Sequence, residues 1–119
     1  MKAQKNFEAE ANRLSASEMV EDVLGCKWTL TVLRLVMQGV NRPGAMERSV
    51  DGLTTKVLNE RLRKLTRFGI LRRVAYPEIP PRVEYQLTPF GEKFIGVLRA
   101  IEQLENEIEE SQFGLGRKG

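Results

Sequence analysis

The chain has 119 residues, 41% hydrophobic and 29% charged, with a net charge of +3. That is enough for one small domain with its own core, and no apolar run approaches the roughly 20 residues needed to span a bilayer. It contains no histidine and one cysteine, Cys26, which removes imidazole bases and ligands, Cys-rich zinc sites and any intrachain disulfide.

Residues 1–14 are polar with scattered apolar positions, and read as an N-terminal arm. Lys2, Lys5, Glu8 and Glu10 interrupt any signal-peptide pattern there, so a cytoplasmic protein with no membrane partner is expected. The domain itself is expected over 15–110. Ser15 or Ser17 is placed to cap a first helix in which Met19, Val20, Val23 and Leu24 form an apolar stripe. Glu18, Glu21 and Asp22 lie opposite, in the early turns where carboxylates favour the helix dipole, and Gly25 ends the helix. A second helix over Lys27–Gln38 is apolar nearly all round, with Trp28, Leu30, Val32, Leu33, Leu35, Val36 and Met37. It reads as the central, buried helix, Trp28 as a core residue, and Gly39 as its stop. In Asn41–Val50, Asn41 can cap and Pro43 suits a first helical turn. A two-turn helix follows, with Ala45, Met46 and Val50 inward and Arg42 and Arg48 outward, and Asp51-Gly52 makes the next turn.

Leu53–Gly69, LTTKVLNERLRKLTRFG, carries the functional signal. Val57, Leu58, Leu62 and Leu65 recur at helical spacing, while Thr54, Thr55, Lys56, Asn59, Arg63, Lys64 and Arg67 fall on other faces. Thr54 or Thr55 can be the N-cap and Gly69 the left-handed C-terminal residue. Across Thr54–Arg73 seven cations face Glu60 alone, a local charge of +6, so the rest of the chain is about −3. Positive charge concentrated in one supersecondary unit points to a polyanion partner. A short helix, a turn and a longer basic helix make a helix-turn-helix unit. Thr54, Thr55, Lys56 and Asn59, in the first exposed turns, are expected to face base edges: Asn can pair with adenine and Lys can contact guanine. Arg42, Arg48 and Arg63 are expected to neutralise phosphates.

After Gly69 the period changes. Ile70, Leu71, Val74 and Tyr76 suit a strand, and Val83, Tyr85 and Leu87 alternate with Arg82, Glu84 and Gln86. Pro77, Pro80 and Pro81 exclude helix between them. The unit reads as a wing with an arginine tip, Arg82, reaching phosphate or the minor groove. Thr88-Pro89 then starts a last helix whose apolar row is Phe90, Phe94, Ile95, Leu98, Ile101, Leu104 and Ile108, with five Glu and no cation from Glu102 to Glu110. That row is longer than one small domain can cover, which predicts a partner helix and a homodimer. Residues 111–119, with three glycines, read as a flexible tail.

Three stretches carry a resemblance: GCKWTLTVLRLV around Trp28, DGLTTKVLNERLRKLTRFGIL, and YPEIPPRVEYQLTPFG. Over about residues 15–108 the chain resembles the HxlR-type transcriptional regulators, a winged-helix branch related to the MarR-type proteins. The resemblance implies an α+β, mostly α, winged helix-turn-helix domain with N- and C-terminal dimerisation helices, and a bacterial or archaeal DNA-binding dimer. It also implies that the helix beginning near Thr54 enters the major groove and that the loop ending at Arg82 is the wing. Many such proteins carry an aromatic residue after the arginine that opens the short helix, where this chain has Pro43-Gly44 after Arg42. Several have an oxidant-sensing cysteine about a dozen residues before the Lys-Trp pair, where this chain has Ser15.

Cys26 itself begins a helix beside Lys27. Both features favour a thiolate, so it is a candidate redox residue; a small packed side chain between two helices is the other reading. With no nucleotide loop and no carboxylate pair placed in a pocket, neither an enzyme nor a cofactor is expected. The expected partner is double-stranded DNA with palindromic half-sites about one helical turn apart, and no polar constellation identifies an effector. The rival reading is a winged-helix protein-interaction module that places the same basic face on an acidic protein.

Overall fold

A computed structural model describes residues 14–118, with side chains as far as Gln112. The expected arm over 1–14 lies outside the described residues except for Leu14, which packs on the core. Helix α1, Ala16–Gly25, opens with a capping box: the Glu18 N–H donates to the Ser15 hydroxyl at 3.1 Å and the Ser15 N–H to the Glu18 carboxylate at 2.8 Å. It buries Met19 and Val23. Helix α2, Lys27–Met37, is the centre of the domain, burying Thr29, Val32, Leu33, Leu35 and Val36. It ends in a Schellman motif: Gly39, at φ 89°, donates to the Val36 carbonyl and Val40 to that of Leu35.

The short helix α3, Pro43–Ser49, has Pro43 in its first turn and buries Met46. Its N-cap is Arg42 rather than Asn41. The Asn41 carbonyl is instead taken by the Tyr85 N–H at 2.8 Å, which ties the start of α3 to the second strand. Helix α4, Thr55–Arg67, follows, capped by Thr54, whose hydroxyl accepts from the Val57 N–H at 3.2 Å. Leu58, Leu62 and Leu65 fix its inner face against α2. A second Schellman motif closes it, with Gly69 donating to Thr66 and Ile70 to Leu65.

Strands β1, Leu71–Tyr76, and β2, Arg82–Leu87, pair antiparallel from Leu71↔Leu87 to Tyr76↔Arg82. The alternation of β2 does not appear as alternating burial, since all six residues are half-buried. Tyr85 and Leu87 pack on the core. The polar face is covered by arginines, with Arg82 on Glu84 and Arg72 on Gln86.

Helix α5, Pro89–Lys118, starts where the Thr88 hydroxyl accepts from the Gly91 N–H at 2.8 Å. That hydroxyl also donates to the Gly69 carbonyl. Here the helix is pressed onto the strand entry: a Cβ on Gly91 would lie 2.1 Å from the Ile70 carbonyl oxygen. The apolar row of α5 divides. Phe94, Ile95 and Leu98 are buried, whereas Phe90, Val97, Leu104 and Ile108 are 43–58% exposed. The helix runs through Lys118; glycines weaken a helix by about 1 kcal/mol each but do not sterically break it as proline would. Its projection explains a radius of gyration of 17.4 Å, against roughly 13–14 Å for a compact domain of this length.

Candidate nucleic-acid interface

The side of α4 away from the leucines carries Lys56, Asn59, Arg63 and Arg67, all exposed. At 100° per residue they span roughly 80° of the helix circumference, so they form one stripe. None of the four has a side-chain hydrogen bond or ion pair among the described residues. Arg67 completes the stripe at the same spacing; the helical pattern alone places it on an outer face but does not mark it as a contact. Thr54 and Thr55 sit at the stripe's N-terminal end with their hydroxyls engaged. Thr54 caps the helix, and Thr55 donates to the Glu47 carboxylate at 2.9 Å, holding α3 against α4.

The other two cations of α4 point elsewhere. The Lys64 ammonium is 2.8 Å from the Asp22 carboxylate on α1, and Arg61 is half-buried with its Nε unpartnered. The local excess of +6 is therefore divided among the outward stripe, Lys64, which ties α4 to α1, the half-buried Arg61, and Arg72 and Arg73 on β1. Trp28 supports the unit from below: it is half-buried and packs on the core, and a Cβ on Gly52 would lie 3.7 Å from its ring. Gly52 itself has φ 87°, the conformation glycine accepts at a tight reversal.

Arg42 and Arg48 are exposed on α3. With the wing loop they line a cleft of about 500 Å³, together with Arg82. Arg42 is 3.8 Å from Glu84, and half of its side chain remains open to solvent.

Arg82 does not tip the wing. It is the first residue of β2, opposite Tyr76, and its guanidinium lies 4.0 Å above the Tyr76 ring. It also makes ion pairs with Glu78 at 3.1 Å and Glu84 at 3.4 Å. The physical reason is local: two carboxylates and an aromatic face lie within reach of the strand start, and a guanidinium satisfies all three. The apex belongs to Ile79, which is 100% exposed.

Cys26 joins α1 to α2, as C-cap of one and N-cap of the other. Burial pushes its thiol up, but the Thr29 hydroxyl and N–H and the charges of Arg61 and Lys64 outweigh it, and the net shift is downward. The cations responsible stand on α4, across the core, rather than next door at Lys27, whose ammonium lies 5.1 Å from the Trp28 ring centre. No group of acidic, cysteine or histidine side chains able to hold a metal occurs among the described residues, and no described helix is long and apolar enough to cross a membrane.

The same layout occurs in known regulators. Residues 23–113 match the family model for the HxlR-like helix-turn-helix. The HTH-type transcriptional regulator sll1512 of Synechocystis is 41% identical over 98 residues, covering 82% of this chain and 73% of that protein. A transcriptional regulator of the MarR family from Enterococcus faecalis superposes with a TM-score of 0.72 at 31% identity, over 80% of this chain and 86% of that one. The reduced form of the transcriptional regulator YodB from Bacillus subtilis gives 0.64 at 28% identity, over 72% and 84%, and YodB has also been solved after diamide treatment. These relatives and neighbours are transcriptional regulators rather than enzymes. With a winged helix-turn-helix in which α3 and α4 form the paired helices and β1–β2 the wing, the chain belongs to the HxlR-like helix-turn-helix family of transcriptional regulators.

Proposed function

We propose that this regulator binds a palindromic DNA operator as a homodimer in the cytoplasm, with α4 in the major groove of each half-site. One observation carries the reading: the Lys56–Asn59–Arg63 stripe is exposed and uncommitted on a helix whose opposite face is locked into the core. Lys56 and Asn59 near the N-terminal end read base edges, with Thr54 and Thr55 beside them offering their remaining hydroxyl capacity. Arg42, Arg48 and Arg63 neutralise phosphates and set register. Arg82 supports the same surface by pairing with Glu78 and Glu84, which would otherwise repel the backbone.

The dimer reading rests on α5. Its exposed Phe90 and Val97 line an apolar groove of about 450 Å³ against Val20 of α1, and Leu104 and Ile108 extend the apolar line outward. A second copy would cover these surfaces, place two α4 helices on one side of the dimer, and leave the acidic outer part of α5 away from DNA.

Cys26 adds a candidate redox response. Hydrogen peroxide would convert the Cys26 thiols of two protomers into one disulfide and two waters, and so change how α1 and α2 support α4. Equal DNA affinity of wild type and Cys26→Ser after mild peroxide, with no dimer band on a non-reducing gel, removes this part of the reading.

The test of the main reading is fluorescence anisotropy against duplex DNA from the protein's own upstream region and a scrambled duplex of equal composition, across a salt series. Tight binding to the first and much weaker binding to the second is the expected result, with a slope that counts phosphate contacts. Absence of binding to either at low salt favours the protein-interaction module instead.

A further inference from the structure

We propose that Ile79 is an apolar wedge that enters the minor groove of the bound duplex beside the α4 site. This inference rests on the DNA-binding reading above and assigns a contact to a residue outside the basic surface.

A single exposed aliphatic side chain is ordinary on a protein surface. Ile79 differs in its setting. It stands at the apex of the loop, fully exposed, and Pro77, Glu78, Pro80 and Pro81 around it are exposed as well. The loop carries no cation of its own, and Arg82 at its base is committed to Tyr76, Glu78 and Glu84. What the wing presents at its tip is therefore an isoleucine framed by prolines.

That frame is stiff. Proline fixes φ at Pro77, Pro80 and Pro81. The Glu78 N–H donates to the Tyr76 carbonyl at 2.8 Å, and the Arg82 cluster closes the base. A pre-ordered tip loses little conformational freedom on docking.

Reach and charge also fit DNA. The five steps of about 3.3 Å between the six paired residues hold the loop roughly 17 Å out from the strand entry beside the end of α4, enough to arrive at a neighbouring groove. Arg42 and Arg48 stand across the cleft from the loop, where backbone phosphates would pass. The one carboxylate at the tip, Glu78, is paired with Arg82 at 3.1 Å, so its repulsion is reduced. An apolar side chain inserted from the minor groove between base steps is an established device for kinking or gripping a duplex, favoured at flexible pyrimidine–purine steps.

The experiment compares wild type, Ile79→Ser, Ile79→Lys and Asn59→Ala on the upstream duplex by anisotropy across a salt series, with a FRET-labelled duplex reporting bend. Ile79 contacts nothing in the core, so both Ile79 variants should melt as wild type does. The wedge predicts that Ile79→Ser loses roughly tenfold or more in affinity and part of the bend, at an unchanged salt slope. Ile79→Lys should steepen the slope by about one phosphate contact. Wild-type affinity and bend in Ile79→Ser, or an unchanged slope in Ile79→Lys, overturns the wedge alone if Asn59→Ala still loses discrimination. Failure of the wild type itself to distinguish its duplex from a scramble overturns the DNA reading and the wedge together.

Discussion

Helix α4 and the wing use arginine and lysine in opposite ways. On α4 the outward stripe, Lys56, Arg63 and Arg67, is uncommitted, and the helix is held by leucines behind it and by Lys64 on Asp22. On the wing the arginine that would most readily be taken for a DNA contact, Arg82, is consumed by two carboxylates and a tyrosine ring. A cation available for a partner and a cation that fastens its own fold look alike in a charge count. What separates them is whether an anion or an aromatic face lies within a few ångströms, and that is a property of the fold.

Removing the support of α4 should have the largest effect. Leu62 is 1% exposed, and Leu62→Ala should cost about 2–5 kcal/mol of stability, seen as a large fall in the denaturant midpoint, with DNA affinity lost alongside. Gly91→Ala attacks the shared anchor of α5 and the strand entry. Its methyl would meet the Ile70 carbonyl at 2.1 Å, and because that neighbour is backbone, a destabilisation of about 2 kcal/mol is expected in the same measurement. A wild-type midpoint would show that α5 can slide at no cost.

Specificity sharpens the contrast. Asn59→Ala should lower discrimination between the operator and single-base variants by about 1–3 kcal/mol, while Arg82→Ala, by leaving Glu78 and Glu84 unpaired beside the DNA backbone, should weaken all sequences alike. If Arg82 acts by covering carboxylates, adding Glu78→Gln and Glu84→Gln to Arg82→Ala should restore much of the lost affinity. No recovery would make Arg82 a direct phosphate contact.

The smallest effect concerns Cys26. Its thiol is shifted down by Thr29 and by Arg61 and Lys64 against the upward push of burial, so the pH midpoint of its alkylation should lie below that of a free thiol. The midpoint should rise in Lys64→Ala and Arg61→Ala. Because the folded value is the lower one, ionisation of this group favours the folded state above the unfolded thiol pKa, and that contribution fades as pH falls through the folded value. An alkylation midpoint equal to that of a model thiol would show that the charges on α4 do not reach the sulfur.

The helices were legible in the sequence because their determinants are local. Ser15 with Glu18, Pro43, Thr54 with Gly69, and Thr88-Pro89 are chemical start and stop signals, and the 3.6-residue recurrence of Leu58, Leu62 and Leu65 selects a buried face regardless of what covers it. The strand pair was equally legible from alternation and prolines. The stripe of Lys56, Asn59 and Arg63 followed, since a helix with one face buried must turn the other outward.

Side-chain pairings were not legible. That Lys64 meets Asp22, Thr55 meets Glu47, and the charges on Cys26 come from α4 all depend on elements 8–42 residues apart being brought together. The wing shows the same limit over a shorter span. Composition placed an arginine in the loop region, but the register Tyr76↔Arg82 put it at the base against Glu84 and left Ile79 at the apex. Periodicity is set by each residue's own backbone geometry and so is written along the chain. Which charges neutralise each other depends on distances that only the packed chain defines.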